Sequence, residues 1–558
     1  VFLFFTQLTV AQLSKKHFIP PLTSSDGFSD QFIYISTPKN GNVAYKITPV
    51  GNPDLPAYSG VVSKNNPVQQ SVLDLSGNVD NNDDSQLHVR WSNILGVIND
   101  RGFIIEAEDV IYVSVRVRSS GPNKFHAGAL VSKGNSALGK QFRIGGFVKE
   151  GVSVNNHITF ASIMATEDAT SVTISNLPSN VSIINYSGPI PITFTLNEGE
   201  SYIIAAQTNV SNGADAKDII GALISSDKNI VVNSGSAFGS FANPNVNVDY
   251  GFDQIVDATK IGTEYILVRG AGNNEFENAL VIAHENNTDV QVGGNSIITL
   301  NAGEYLVIEG NSYSSSGNMY IKTSKPSFVY QGVGGTDSPA NQGLFFVPSL
   351  SCENIGDVDN IALIDQVDKS GILFIGGVTI VTNIGANVTI NGNDIRSING
   401  SQGPFNVTGN SGYVTYKVTV LTGNISVSSD QELYCAYFNA SGAAASGAFY
   451  SGFPSAPEIN FETTVASLGS CIPNVTLEAA NTDIFDSFEW QYFNEISGIW
   501  EFRSNNPSYK PLESEPGKYK LIGIVNCTGA TFESVEIPVS ICPDDFDGDL
   551  IIDNLDVD

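Results

Sequence analysis

Histidine and methionine are scarce: the 558-residue chain has five His and two Met, and only 15% of its residues are charged. So few imidazoles leave little for histidine-based acid–base chemistry or a zinc centre. His17, His88, His126 and His157 stand alone, without H-x-H or H-x-x-x-H spacing, and His284 before Glu285 lacks the second His of a zinc-protease motif. Basic residues number 27 against 57 acidic ones, a net charge of −30, which repels phosphate backbones and anionic lipid surfaces and argues against a nucleic-acid partner. After the first residues, no run reaches the roughly 20 apolar residues of a membrane-crossing helix, and none keeps a helical apolar period.

What is present is 53 Gly among many Asn, Ser, Thr and Val, in strand-length runs punctuated by Asn-Gly, Gly-Asn and Asp-Gly turns. Alternation in VTYKVTV puts Val418 and Val420 on one face and Lys417 and Thr419 on the other, the period of a half-buried strand. The fold class expected is all-β: tandem β-sandwich-like modules, then an Ig-like sandwich and an Asp-rich calcium repeat.

A repeat runs through the middle. TSVTI (Thr170 to Ile174), TLNEGESYII (Thr195 to Ile204) and SDKNIVV (Ser226 to Val232) recur as TDVQV (Thr288 to Val292), TLNAGEYLVI (Thr299 to Ile308) and SKPSFVY (Ser324 to Tyr330), at offsets of 118, 104 and 98 residues. A fainter copy runs from Ala386 to Phe438, and a weak one joins NVAYKITPV (Asn42 to Val50) to EAEDVIYVSVRV (Glu106 to Val117). Units of this length exceed ordinary solenoid and propeller repeats and suit beads in a row. The expected parts are a signal-peptide remnant at 1–11, an N-terminal β module at 12–150 and repeat modules at 151–250, 251–350 and 351–452. An Ig-like domain at 458–542 and the start of a calcium-binding repeat at 543–558 complete the division.

Val1 to Ala11 read as the apolar part of a signal peptide with Ala11 at the cleavage site, and the absence of a leading Met and the stop inside an aspartate repeat read as truncation at both ends. In that repeat, Asp545, Asp547, Asp549, Asp553 and Asp556 fall at positions 1, 3, 5, 9 and 12, with the Ile551 carbonyl at 7, the ligand order of an EF-type calcium loop. Leu550 replaces the usual Gly and Asp556 the usual Glu, so weak calcium affinity is expected. The segment resembles a thrombospondin type 3 repeat, which implies a stiff calcium-lined connector.

The stretch GFDQIVDATKIGTEYILVRG (Gly251 to Gly270) with the repeat text after it resembles the N-terminal region of IgGFc-binding-type proteins, over roughly Asn155 to Gly452. LSKKHFIPPL (Leu13 to Leu22) and SCENIGDVDNIALID (Ser351 to Asp365) resemble the version in large secreted surface proteins of gliding Bacteroidetes, which implies export by a type IX secretion machinery through a C-terminal signal not contained in this sequence. The resemblance carries no catalytic residues.

Cys471 opening VTLEA, Trp490 in SFEWQYF and Cys527 closing GKYKLIGIVNC make an Ig-like pattern, a buried Trp beside an inter-sheet bridge. Without a C-x-x-C pair, the five cysteines of an exported chain favour disulfides over metal ligands: Cys471 with Cys527 and Cys352 with Cys435, leaving Cys542 odd. The Gly409 to Tyr413 loop around Ser411 reads as a turn rather than a protease serine. The Asp83–Asp84 and Asp357–Asp359 pairs and the sequons at Asn180, Asn209, Asn387 and Asn424 read as products of composition and surface turns. For ligand binding the aromatic, Asn- and Gly-rich stretches at 235–252 and 310–320 nominate Phe238, Phe241, Tyr250, Tyr313 and Tyr320, because aromatic side chains offer large contact area at low entropic cost. The function expected is a secreted or cell-surface adhesin that binds an extracellular protein or polysaccharide without turnover. An accessory region of a secreted hydrolase and a structural spacer are the alternatives.

Overall fold

The computed structural model describes residues 12–24, 27–72, 85–119, 126–148, 153–178, 181–209, 219–241, 249–334, 341–353, 355–367, 372–442, 444–453, 456–464, 468–480, 482 and 485–542. It contains β-strands and short 3-10 turns, with no α-helix among these residues. Two compact units divide the chain, one ending at Phe453 and the other beginning at Pro454.

The larger unit holds four modules of one topology. The second shows it most plainly: strands Gly139–Arg143, Ser153–Ala165, Thr170–Ser175, Ile192–Leu196, Ser201–Asn209, Leu223–Gly239 and Asp249–Ile255. The long sixth strand pairs through its first half with the first and third strands, and through its second half with the second and seventh. It therefore belongs to both layers of a sandwich. Phe103–Ser119 plays the same part in the first module and Ile425–Ser441 in the fourth. In the third module the equivalent strand is broken into Asn318–Thr323 and Ser327–Gly334, and its sandwich separates into two four-stranded sheets. Pro326, which has no amide to give to a ladder, lies in the break.

The four seventh strands, Ala127–Val131, Asp249–Ile255, Asn341–Phe346 and Ala444–Phe449, each pack against the next, and the last packs against the first. The modules thus close a ring; they are not beads in a row. Gly139–Arg143, expected with the N-terminal module, pairs into the sheet of the second. Burial on two faces explains the uninterrupted apolar runs that define no face in the sequence. Ala161 and Ile163 enter one core while Ile158 and Phe160, on the opposite face of the same strand, enter the core of the first module.

Two cations, Arg116 buried and Lys260 partly buried, bind modules together through carbonyls. Arg116, 0% exposed, donates at 2.7 Å to the carbonyls of Ala362, Leu363 and Gln366 and lies over the Tyr34 ring at 3.9 Å, joining the first module to the fourth. Lys260 donates to the carbonyls of Asn135, Ser136 and Leu138, and burial lowers its pKa to about 8. One local expectation fails: Val418 is buried but Val420 is 65% exposed. A register shift opposite Gly376 and Gly377 throws Val420 outward at φ +65°, a conformation rare for a β-branched residue.

The second unit is a sandwich of a three-stranded and a five-stranded sheet. Trp490 is 0% exposed, packs with Ile472, Val475, Leu477 and Leu521, and its indole N–H donates to the Asn506 carbonyl at 3.0 Å. The expected bridges are corrected. Cys471 is bonded to Cys542, with Cα atoms 4.8 Å apart, because a parallel bridge between Ile472 and Ile541 brings their neighbours together. Strand Gly517–Val525 ends two residues before Cys527, which falls on an exposed turn. Cys435, expected to pair with Cys352, is a free buried thiol in mid-strand opposite Ile380. Cys352 and Cys527 are both disulfide-bonded.

Candidate binding site

The five nominated aromatics are buried, which overturns the assignment of Phe238, Phe241, Tyr250 and Tyr313 as a contact surface, whereas Tyr320 also lines a groove of the third module. Phe238, Tyr250 and Tyr313 are 3%, 0% and 8% exposed, and Phe241 and Tyr320 are 9% and 5%. Phe238 and Tyr250 pack on each other and on His126, and Phe241 meets Phe147 edge-on. Their rings face inward, where burying an aromatic ring stabilises by a few kcal/mol.

The structure brings residues of the nominated 310–320 stretch together with strands beside it. In the third module a groove of about 660 Å³ opens between the fourth strand, Asn295–Leu300, and the fifth, Tyr305–Ile308. Its lining includes Val292, Ile297, Leu306, Val307, Ile308, Met319 and Tyr320, and its polar side carries Asn295, Glu309, Asn311 and serines 312, 314 and 315. No lysine or arginine lines it. Ile297 and Ile298 are 52% and 45% exposed. Such a concave apolar surface with a polar rim is what a ligand site requires. The 310–320 stretch was legible as a candidate, while the adjacent isoleucines of NSIITL were missed because alternation alone assigns one of them inward.

Local sequence shapes the groove. Gly293 and Gly294, at φ +56° and +86°, form the two-residue turn between the third and fourth strands that positive φ makes tight. Asn318 is 1% exposed. Its amide donates to the Asn406 carbonyl at 3.0 Å and the Thr415 hydroxyl at 3.1 Å, and its Oδ1 accepts from Ser314 at 2.8 Å. The turn at Thr408 and Gly409 of the fourth module closes one end: a Cβ on Gly409 would lie 2.8 Å from Cδ1 of Tyr320 and 3.0 Å from the carbonyl carbon of Gly293. Tyr320 donates to Glu264 at 2.6 Å. Burial opposes ionisation of Glu264, but hydrogen bonds from Lys322 and Tyr320 outweigh it and hold the carboxyl below its usual range.

The remaining candidates are structural or lie outside the described residues. His17 is buried between the Ser132 hydroxyl and the carbonyls of Ser14 and Ile111, and burial lowers its pKa to about 4. Ser411 lies in a hairpin where Asn410 accepts from the Gly412 amide at 3.0 Å. Among the described residues no group of three or more His, Cys, Asp or Glu is placed to hold a metal ion, and no helix is long and apolar enough to cross a membrane. The calcium-loop residues Asp545, Asp547, Asp549, Ile551, Asp553 and Asp556, together with Asp83 and Asp84, lie outside the described residues.

A family described as "IgGFc binding protein" matches residues 127–439, more than half of the chain. The chain belongs to the IgGFc-binding protein family. This match begins at the seventh strand of the first module and ends in the long strand of the fourth, so the groove lies inside the family region. No curated protein matches the chain. Among solved structures, a tetra-tandem repeat in the extending region of a large adhesion protein is 10% identical, over 77% of this chain and 95% of that one, at a TM-score of 0.12. Immunoglobulin domains 1–5 of Sidekick-1 are 9% identical, over 96% of this chain and all of theirs, at a TM-score of 0.10. Scores this low carry no structural argument.

Proposed function

We propose that this IgGFc-binding family member is a non-catalytic binding module of a secreted or cell-surface adhesin, and that the third-module groove is its ligand site. The observation that carries the reading is an apolar-floored groove of about 660 Å³ on a ring of four interlocked sandwiches, with partly exposed aliphatic side chains where a folded monomer would otherwise cover them. The ligand class is an extracellular protein. The family name makes antibody Fc one probe among several, and polysaccharides are the competing class. The Cys471–Cys542 bridge is consistent with an oxidising compartment.

The test is binding of the full chain to IgG Fc, a panel of host matrix proteins and a glycan array, with a hydrolase screen alongside. Saturable protein binding lost on Ile297→Glu supports the reading. Hydrolysis of any screened substrate by the purified chain defeats it.

The aspartate register from Asp545 onward supports calcium as a stalk ligand, with a dissociation constant on the order of 10⁻⁴ to 10⁻³ M. Calorimetry on the full chain measures it. Calcium uptake unchanged by the pair Asp547→Ala and Asp549→Ala would reduce the motif to an acidic tail.

A further inference from the structure

The repeat supplies an internal comparison at the outer edge of the fifth strand. In the second module that strand, Ser201–Asn209, is covered on its outer side: Val97–Ile98 pairs antiparallel with Ser201 and Tyr202, and Ile183, from the long connection before the fourth strand, bridges Ala206. In the fourth module the equivalent strand, Asn410–Leu421, is covered by Ser401–Val407, a segment inserted between the fourth and fifth strands. The third module has neither device. Its third and fourth strands are joined by Gly293–Gly294 alone, and its fourth and fifth by residues 301–304. Tyr305–Ile308 is consequently the terminal strand of its sheet among the described residues.

That edge has the groups a further strand needs. Ala283 exchanges hydrogen bonds with the 303–304 turn, and pairing continues as Val281 with Leu306 and Ala279 with Ile308. Alternation of an antiparallel ladder then turns the amide and carbonyl of Val307 away from the neighbouring strand. The apolar groove runs beside this edge.

We propose that the Tyr305–Ile308 edge binds a short extended peptide of a protein partner by antiparallel strand addition, its alternate apolar side chains entering the groove and a basic residue meeting Glu309. The occupant is the one that the same chain places on the equivalent edges of the second and fourth modules, an extended polypeptide segment; the first module's fifth strand, Val68–Ser71, is likewise terminal among the described residues. Main-chain bonds give such complexes affinity and alternate side-chain pockets give them specificity. Glu309 is exposed on the rim of a groove without cations, and the net charge of −30 disfavours a second copy of this chain as the occupant. The proposal rests on the groove being the ligand site, and names its class of partner.

The experiment selects a display library of random linear decapeptides on the full chain and measures the enriched peptides against three variants. Val307→Pro removes the outward amide while leaving the inward bonds of Leu306 and Ile308, a position where an edge strand tolerates proline; circular dichroism and melting confirm that it folds. Ile297→Glu alters the groove wall, and Glu309→Gln removes the rim charge. The expected result is enrichment of peptides alternating apolar and polar residues with a flanking Lys or Arg, bound at least tenfold more weakly by folded Val307→Pro and by Ile297→Glu, and a few-fold more weakly by Glu309→Gln. Peptides bound equally by Val307→Pro overturn strand addition. If the protein panel is bound but Val307→Pro binds it unchanged, the edge inference fails and the groove reading stands. If neither library nor panel is bound, both fail.

Discussion

Lys133 and Asp253 form an ion pair with both side chains 0% exposed, Nζ lying 3.2 Å from each carboxylate oxygen. The pair reaches all four modules. Lys133 follows the seventh strand of the first and donates to the Phe449 carbonyl in the fourth, while Asp253 lies in the second and accepts from the Phe346 amide in the third. Burial pushes the carboxyl up to about 6 against the pull of Lys133, and pushes the ammonium down. A pair so completely desolvated is retained where each charge has hydrogen bonds from several directions, and breaking it strands the survivor.

Lys133→Met is therefore expected to lower stability by about 3–5 kcal/mol, and the double variant with Asp253→Leu to recover part of that loss. Urea unfolding of the three proteins checks it; a double variant no better than the single would show that packing, rather than an unpaired carboxylate, carries the cost.

Asp249 gives a pH dependence. It is fully buried beside His126, at 3.5 Å, and burial raises its pKa to about 7 against opposing hydrogen bonds from His126 and the Tyr250 and Ala127 amides. The folded pKa lies above the unfolded value of about 3.9. The contribution of Asp249 is thus complete below about pH 4 and is lost as pH rises through 7. Asp249→Asn should gain on the parent over that window, by a few kcal/mol. Melting curves from pH 4 to 8 read the difference, and parallel profiles would count against a buried carboxyl that resists ionisation.

The cysteines separate chemically. Cys435 is buried and its thiol is pushed far up by desolvation, so it should resist alkylation in the native protein and react on unfolding. Non-reducing peptide mapping should return Cys471 joined to Cys542. Their separation of 71 residues gives roughly 4 kcal/mol by chain-entropy closure, and Cys542→Ser should lower the urea midpoint of the second unit accordingly.

Gly409→Ala tests the closed end of the groove. The residue sits at φ +94° with Tyr320 and Gly293 inside van der Waals reach of any Cβ, so the change should cost about 1–3 kcal/mol. It should also weaken ligands of the groove, whereas Gly385→Ala, with φ +87° and open space around it, should lose stability without affecting binding.

Period-two runs, turn dipeptides and the missing helical period determined the all-β class, and the recurrence of TSVTI and TDVQV located strands that occupy one position in successive modules. Trp490 was legible as a core residue because a large indole between alternating apolar positions has few other places to go. Ring closure, the Lys133–Asp253 pair and the open edge at Val307 were not legible, since each depends on residues tens to hundreds of positions apart whose local patterns are ordinary. The same applies to the aromatics: Phe238 and Tyr250 sit in Gly- and Asn-rich text that looks like a loop. Only the packing of one module on the next decides that their rings face inward. Cys471 could close on Cys527 or Cys542 by spacing alone, and the short parallel pairing of Ile472 with Ile541 chose Cys542, because a disulfide forms where the fold brings two Cα atoms within bonding reach.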